Sequence, residues 1–269
     1  MHELANKTVI VTGAARGLGR FLAIGAAGAG ARVIAVAAHA SRELAELRSA
    51  SVPGAVLIVE ADVTDGLACQ RLVDRALSEF GRIDALVNNA AVGMNIVHGP
   101  NPRKLPRFWE VSPEMWRKML VTNVIGPFQL TRLVIPYMLA QRSGRIVNLT
   151  TSLRTMVRVG YAPYGPSKAA LEAATAIWAK ELQGTGVTVN ALLPGGAVNT
   201  RMISEREGLP REALLQPEII VAPGLWLIGR SPDSFTGMRV VARNWSTDQP
   251  PDEAARACSS PIEAAFQQT

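Results

Sequence analysis

The chain is poor in the residues that build metal centres and disulfide frameworks. Of its 269 residues, two are cysteine and three are histidine. Cys69 and Cys258 lie far apart, match no metal or redox spacing, and have no Cys/His cluster around them, which argues against a structural zinc. Two unpaired thiols suit a reducing cytoplasm. Long hydrophobic runs are missing too. The most apolar stretch, Phe21 to Ala31, is short, rich in Gly and Ala, and followed by Arg32, so it cannot span a bilayer. The N-terminal Met-His-Glu-Leu-Ala-Asn-Lys lacks the basic and apolar regions of a signal peptide. These absences lead us to expect a soluble cytoplasmic protein with no membrane partner. Lys and Arg outnumber Asp and Glu by 28 to 22. The basic residues are scattered, however, with no run and no interleaved aromatics, so a nucleic-acid partner is not expected. A phosphorylated cofactor needs only a few of these charges.

Hydrophobic residues make up 48% of the chain and charged ones 19%, enough apolar material for a large core. The length suits one large α/β domain or two small ones. Short β-branched runs alternate with helical patterns: strands at 8–11, 32–36, 56–60, 83–87, 145–149, 187–193 and about 238–242, with helices between them. Ser41 is a cap for a helix reaching about Ala50, Thr64 for one ending near Gly81, and Ser112-Pro113 opens a long helix. Strands separated by helices predict a doubly wound parallel sheet of about seven strands, a Rossmann-type α/β fold, covered on both faces. There is no internal repeat and no mid-chain linker. Residues 1–245 read as one α/β domain. Residues 246–269 form a C-terminal extension, expected as a surface arm or a subunit contact.

Two motifs carry the chemistry. Thr12-Gly-Ala-Ala-Arg-Gly-Leu-Gly19 follows a predicted strand and opens a predicted helix. Glycine lets the backbone approach a pyrophosphate, and the helix N-terminus favours the anion. Gly13, Ala15, Arg16, Gly17, Leu18 and Gly19 are therefore candidate cofactor contacts. Far downstream stands Tyr164-Gly-Pro-Ser-Lys168. A tyrosine's ordinary pKa of about 10 is too high for acid–base work at neutral pH. A lysine one helical turn away shares its face and lowers that value. Tyr161 has Gly165 at the equivalent spacing and so lacks such a partner. A dinucleotide site and a tuned proton donor together point to hydride transfer to or from a carbonyl.

These landmarks, taken in order from about Asn6 to Ala242, resemble those of the short-chain dehydrogenase/reductase family. The shared positions are the glycine loop, Asp62-Val63, Asn88-Asn89-Ala90, Asn123, Tyr164 with Lys168, and Pro194-Gly195. The resemblance implies a ketone–secondary alcohol oxidoreductase, assembled as a homodimer or homotetramer. It also implies roles for single residues. Asp62 contacts the adenine amino group, with the Val63 backbone nearby. Asn88 steadies the sheet, Asn89 and Ala90 border the adenosine ribose, and Ala91 stands where the family usually has Gly. Lys168 reaches the nicotinamide ribose, and Asn123 holds a water linked to Lys168. The orienting hydroxyl, thirteen residues before the tyrosine, falls on Thr151, with Ser152 as the alternative. Pro194, Gly195, Val198 (or Ala197) and Thr200 border the nicotinamide. Ala37 occupies the place of the acid found in NAD-specific members, and His39, Ser41, Arg42 and Arg16 lie close by. NADP(H) is thus favoured over NAD(H). The same resemblance leaves a 3-oxoacyl-thioester reductase of the acyl-carrier-protein type as the alternative enzyme. A cofactor-sensing protein without turnover is the alternative of another class.

Overall fold

The computed structural model describes residues 4–39, 41–47, 56–97, 101, 104–203, 208–229 and 231–266. The expected end of the second helix, about Ala50, lies outside the described residues. Eight strands form one sheet in the order β3-β2-β1-β4-β5-β6-β7-β8. They are β1 (Thr8–Thr12), β2 (Arg32–Ala37), β3 (Val56–Glu60), β4 (Ala85–Asn88), β5 (Gly144–Leu149), β6 (Val187–Leu193), β7 (Met238–Val241) and β8 (Ser259–Pro261). The first seven are parallel. Only β8 is antiparallel, pairing Arg239 with Ser260. It comes from the C-terminal segment, where the sequence suggested a surface arm or a subunit contact and about seven strands in all. Ser-Ser-Pro is too short and polar to announce a strand. It pairs because the short helix α9 (Pro251–Ala257) turns the chain back along the sheet edge.

Helices cover both faces. β1 and β2 alternate their side chains between two cores, as strand geometry requires. Val9, Val11, Val33 and Ala35 face the helix α1 (Gly17–Gly28) and α8 (Val221–Gly229). Ile10, Ile34 and Val36 face α3 (Gly66–Phe80) and α5 (Gly126–Gln141). Between them the short α2 spans Arg42–Ala45, capped by Ser41 as expected. The cap of α3 is Asp65, which accepts from the N–H groups of Leu67 and Ala68, and not Thr64. Thr64 instead donates to Asp62 through both its N–H and its hydroxyl.

The long helix expected after Ser112 is interrupted. α4 covers Pro113–Leu120, a π-helical turn follows at Val121–Ile125, and α5 resumes at Gly126. Pro127 brings no N–H to the Asn123 carbonyl four residues back, so the regular ladder cannot close there and the turn widens. Asn123 sits in that turn, fully buried. The remaining helices are the one-turn α6 (Leu153–Met156) and α7 (Tyr164–Glu181), which packs against β6.

Candidate active site

In a parallel sheet the strands all end on one side, and crossovers on opposite faces leave a crevice where the strand order reverses. Here that reversal lies between β1 and β4. A cleft of about 770 Å³ opens there. Its lining includes Gly13, Ala15, Arg16, Gly17 and Leu18 from the glycine loop, Ala37 and His39 after β2, and Asp62 and Val63 after β3. Asn89, Ala90 and Ala91 after β4 and Thr200 after β6 line it as well. The first turn of α1 has no side-chain cap and no acidic residue. Its N–H groups are therefore available to an anion, and the loop beside them is glycine and alanine. The donor chemistry and shape of this cleft fit a dinucleotide.

Six expected cofactor contacts stand outside the lining: Gly19, Pro194, Gly195, Val198, Tyr164 and Lys168. Gly19 is packed beneath the loop: an added Cβ would sit 2.3 Å from Asn89 Nδ2 and 2.5 Å from the Gly13 carbonyl oxygen. It permits close packing and does not face the cleft. Pro194 and Gly195 turn the chain after β6, with Gly195 at φ +87° against Val241 and Arg243. Val198 is buried and joins Leu215 in an isolated bridge, while its carbonyl accepts from Thr200 N–H at 2.7 Å. Thr200 is the residue this turn delivers, close to Gly17.

Asn89 locks the glycine loop to β4. Its Nδ2 donates to the Thr12 carbonyl at 2.9 Å and the Gly13 carbonyl at 3.2 Å, and the Asn89 and Ala90 N–H groups both donate to the Thr12 hydroxyl. Asn88 steadies the sheet one layer deeper. It donates to Thr131 of α5 and Asn148 of β5, and Asn148 donates in turn to Thr175 of α7.

The second half of the site is built from α7 and the end of β5. Tyr164 opens α7, and Lys168 follows one turn later with its Nζ 6.0 Å from the centre of the Tyr164 ring. The Lys168 ammonium donates to the Leu149 carbonyl at 2.7 Å. Burial pushes its pKa down to about 8. Tyr164 also packs against an apolar cluster of Met94, Val97, Val111, Met119 and Tyr161. Much of that cluster comes from the long 92–111 segment, whose 3-10 turns were not evident in the sequence. Asn123 clamps Val92 through a pair of hydrogen bonds of 2.9 Å each and donates to Ser167, whose hydroxyl donates to the Tyr164 carbonyl. The asparagine thus ties the cleft wall to the first turn of α7.

The two candidate hydroxyls are placed differently. Ser152 caps α6, accepting from Thr155 N–H at 3.2 Å and lying 2.8 Å from the Thr155 hydroxyl. Thr151 immediately precedes that cap, half-buried, with its carbonyl accepting from Arg239.

The sequence did not point to three further features. Met202 crosses to Gly93, where an added Cβ would lie 2.5 Å from Met202 Cγ, so the 199–202 segment meets the opposite wall of the cleft. Arg201 pairs with Glu43 at 3.1 Å, and both residues line the cleft. Arg42, expected near the cofactor, pairs with Glu46 and is absent from the lining. The third feature is a buried Glu172–Arg239 ion pair. A charged residue inside the apolar run of β7 was the available signal.

Comparisons with known proteins agree with this geometry. The family described as short chain dehydrogenase matches residues 7–208. The 3-oxoacyl-[acyl-carrier-protein] reductase FabG of Thermotoga maritima is 34% identical over 216 residues, covering 79% of this chain and 82% of that protein. Fluoren-9-ol dehydrogenase of a Terrabacter species is 34% identical over 206 residues, covering 72% of this chain and 57% of that protein. Among solved structures, 3-ketoacyl-(acyl-carrier-protein) reductase from Brucella melitensis, complexed with NADH, aligns with a TM-score of 0.76 and 26% identity, covering 88% of this chain and 96% of that one. With the dinucleotide cleft at the strand reversal and the Tyr164–Lys168 pair at the end of β5, these matches make the chain a member of the short-chain dehydrogenase/reductase family of nicotinamide-dependent oxidoreductases.

Proposed function

We propose that the chain reduces a ketone to a secondary alcohol with NADPH, and runs the reverse reaction with NADP⁺, using Tyr164 as the proton carrier. The observation that carries this reading is the placement of Tyr164 and Lys168 on one face of α7, with the lysine buried. When bound, the nicotinamide cofactor supplies a hydride to the carbonyl carbon, or removes one from the alcohol. Tyr164 gives its phenolic proton to the carbonyl oxygen as negative charge develops there, and takes it back in the reverse direction. Lys168, when protonated, favours the phenolate and brings the tyrosine within reach of neutral pH. Its tie to the Leu149 carbonyl holds it at the end of β5. Asn123 braces the first turn of α7 against Val92. Thr151 orients the substrate oxygen. The commitment of the Ser152 hydroxyl to the α6 cap supports giving that role to Thr151.

The NADP(H) preference rests on the absence of an acid at Ala37 and on Arg16, His39 and Arg201 in the lining. Glu43, one of the carboxylates in the lining beside Asp62, is paired with Arg201. Guanidinium groups suit a 2′-phosphate. Exposed apolar residues on α5 and α7, among them Phe128, Tyr137, Leu139 and Ile177, support assembly as a homodimer or homotetramer. No helix among the described residues is long and apolar enough to cross a membrane, and both cysteines are free and buried, which supports a cytoplasmic location.

A 3-oxoacyl thioester is the second substrate reading, favoured by the names of the Thermotoga and Brucella relatives. NADPH consumption measured with simple ketones and with 3-oxoacyl thioesters separates the two. A protein that binds NADPH but turns over neither class would return the cofactor-sensing alternative.

A further inference from the structure

Strand β7 is apolar at Met238, Val240 and Val241 but carries Arg239 between them. Arg239 is 8% exposed and faces Glu172 of α7, which is 0% exposed. The two side chains form an ion pair through Arg239 Nε and Glu172 Oε1. Removing both charges from water is costly, and such pairs are often replaceable by apolar residues without loss of stability. Stability alone is therefore a weak reason for this one, and its position gives a better one.

Glu172 follows Lys168 by four residues and Tyr164 by eight, so the three occupy one face of α7. Arg239 reaches the other way. Its Nη2 donates to the Thr151 carbonyl at 3.1 Å. The end of β5 is thus tied to α7 twice, two residues apart: directly at Leu149 by Lys168, and at Thr151 by Glu172 through Arg239. The register with β6 ends at Leu149, and the last backbone bond across it runs from the Thr150 N–H to the Leu192 carbonyl. At Thr151 the tie replaces what regular pairing no longer provides.

We infer that Glu172 and Arg239 are positioning residues that fix Thr151 relative to the Tyr164–Lys168 pair, so that hydroxyl and phenol meet one substrate oxygen. The inference rests on the reading of Thr151 as the orienting hydroxyl. Neither residue touches substrate. They act through the backbone of the segment that carries it, where a displacement of an ångström is enough to cost turnover.

The test is a double-mutant cycle on the full chain, with NADPH oxidation by ethyl acetoacetate as the assay. Arg239→Met is expected to lower kcat by about tenfold or more, while KM for the ketone stays within about twofold. In a Thr151→Val background the same change should cost less than about twofold, because the hydroxyl it positions is gone. Fluorescence titration with NADPH should show unchanged affinity in all four proteins. Equal losses in both backgrounds would overturn the inference. A Thr151→Val protein with wild-type kcat would instead remove the reading of Thr151 itself, and this inference with it. Because Arg239→Met leaves a buried carboxylate unpaired, the double change Glu172→Leu with Arg239→Met serves as the folded control. It should keep the thermal midpoint of the wild type yet retain the kcat loss. Wild-type kcat in that folded double variant would also overturn the inference.

Discussion

The two halves of the site are made of different material. The cofactor half, at the ends of β1 to β4, is backbone and small residues: Gly13, Ala15, Gly17, Ala37, Ala90 and Ala91. The chemical half, between β5, α7 and β7, is buried polar side chains: Asn123, Asn148, Lys168, Glu172, Thr175 and Arg239. The first half recognises a large anion by leaving room for it and presenting helix N–H groups. The second holds a few reactive atoms with a set of side-chain hydrogen bonds and one buried ion pair. Steric change should therefore break one half, and loss of a single hydrogen bond the other.

The largest effect is expected in the chemical half. Tyr164→Phe removes the proton carrier and should lower kcat by about a thousandfold while NADPH affinity stays nearly intact. Stopped-flow turnover and a fluorescence titration check both halves of that statement. Most activity surviving would refute the hydride-transfer mechanism proposed for this site. Thr151→Val keeps shape and removes one hydrogen bond to a developing oxyanion, worth on the order of 3 kcal/mol, or about a hundredfold in kcat. Ser152→Ala should cost much less in turnover and about 1 kcal/mol in stability, the usual cost of a lost helix cap. The reverse ranking would move the catalytic role to Ser152.

In the cofactor half, Gly19→Val should act by crowding. The added atoms meet Asn89 and the Gly13 carbonyl, and overpacking of this kind costs about 1–3 kcal/mol. Thermal denaturation should show the loss, and NADPH binding should weaken as the loop shifts. A variant with normal stability and affinity would break the contrast drawn between the halves. Ala37→Asp should be milder, moving the NADPH-to-NADH affinity ratio toward NADH by about tenfold, roughly 1.4 kcal/mol. Wild-type protein that binds NADH more tightly than NADPH would remove the preference proposed here.

The smallest effect concerns protons. Burial lowers the Lys168 pKa from the ordinary 10.5 to about 8. Between those values the unfolded chain holds a proton that the folded, cofactor-free protein has released. Stability of the cofactor-free protein should therefore rise with pH across that window, through this residue. Lys168→Met should flatten the rise. Thermal midpoints of both proteins at about pH 7.5, 8.5 and 9.5 test the sign; a wild-type curve no steeper than the variant's would refute it.

Much of this was legible in advance because it is local. The glycine loop needs a strand before it and a helix after it, and both can be read from a dozen residues. The Tyr–Lys spacing is a property of one helical turn. What escaped depended on partners distant in sequence. Asp62 was assigned to adenine, and it does line the cleft, but its carboxylate also accepts from Thr64, which displaced the expected cap to Asp65. Asn123 was expected in a regular helix, yet Pro127 opens the turn around it. Gly19 and Val198, expected at the cofactor, are tightly packed positions, a property that depends on distant neighbours.

The alternation of the seven parallel strands with helices, the glycine loop and the Tyr164–Lys168 spacing follow from the sequence alone, because each is set by periodicity or by spacing within a turn or two. Which polar residues meet depends on the packing of the whole chain. Glu172 and Arg239 are 67 positions apart in the chain and become partners because the α7 crossover lays its buried face along the sheet end where β7 pairs with β6. Arg201 meets Glu43, Met202 meets Gly93, and Ser259-Ser-Pro becomes a strand for the same reason. A side chain's chemistry is local, but its partner in a buried or bridging contact is chosen by the path of the whole chain.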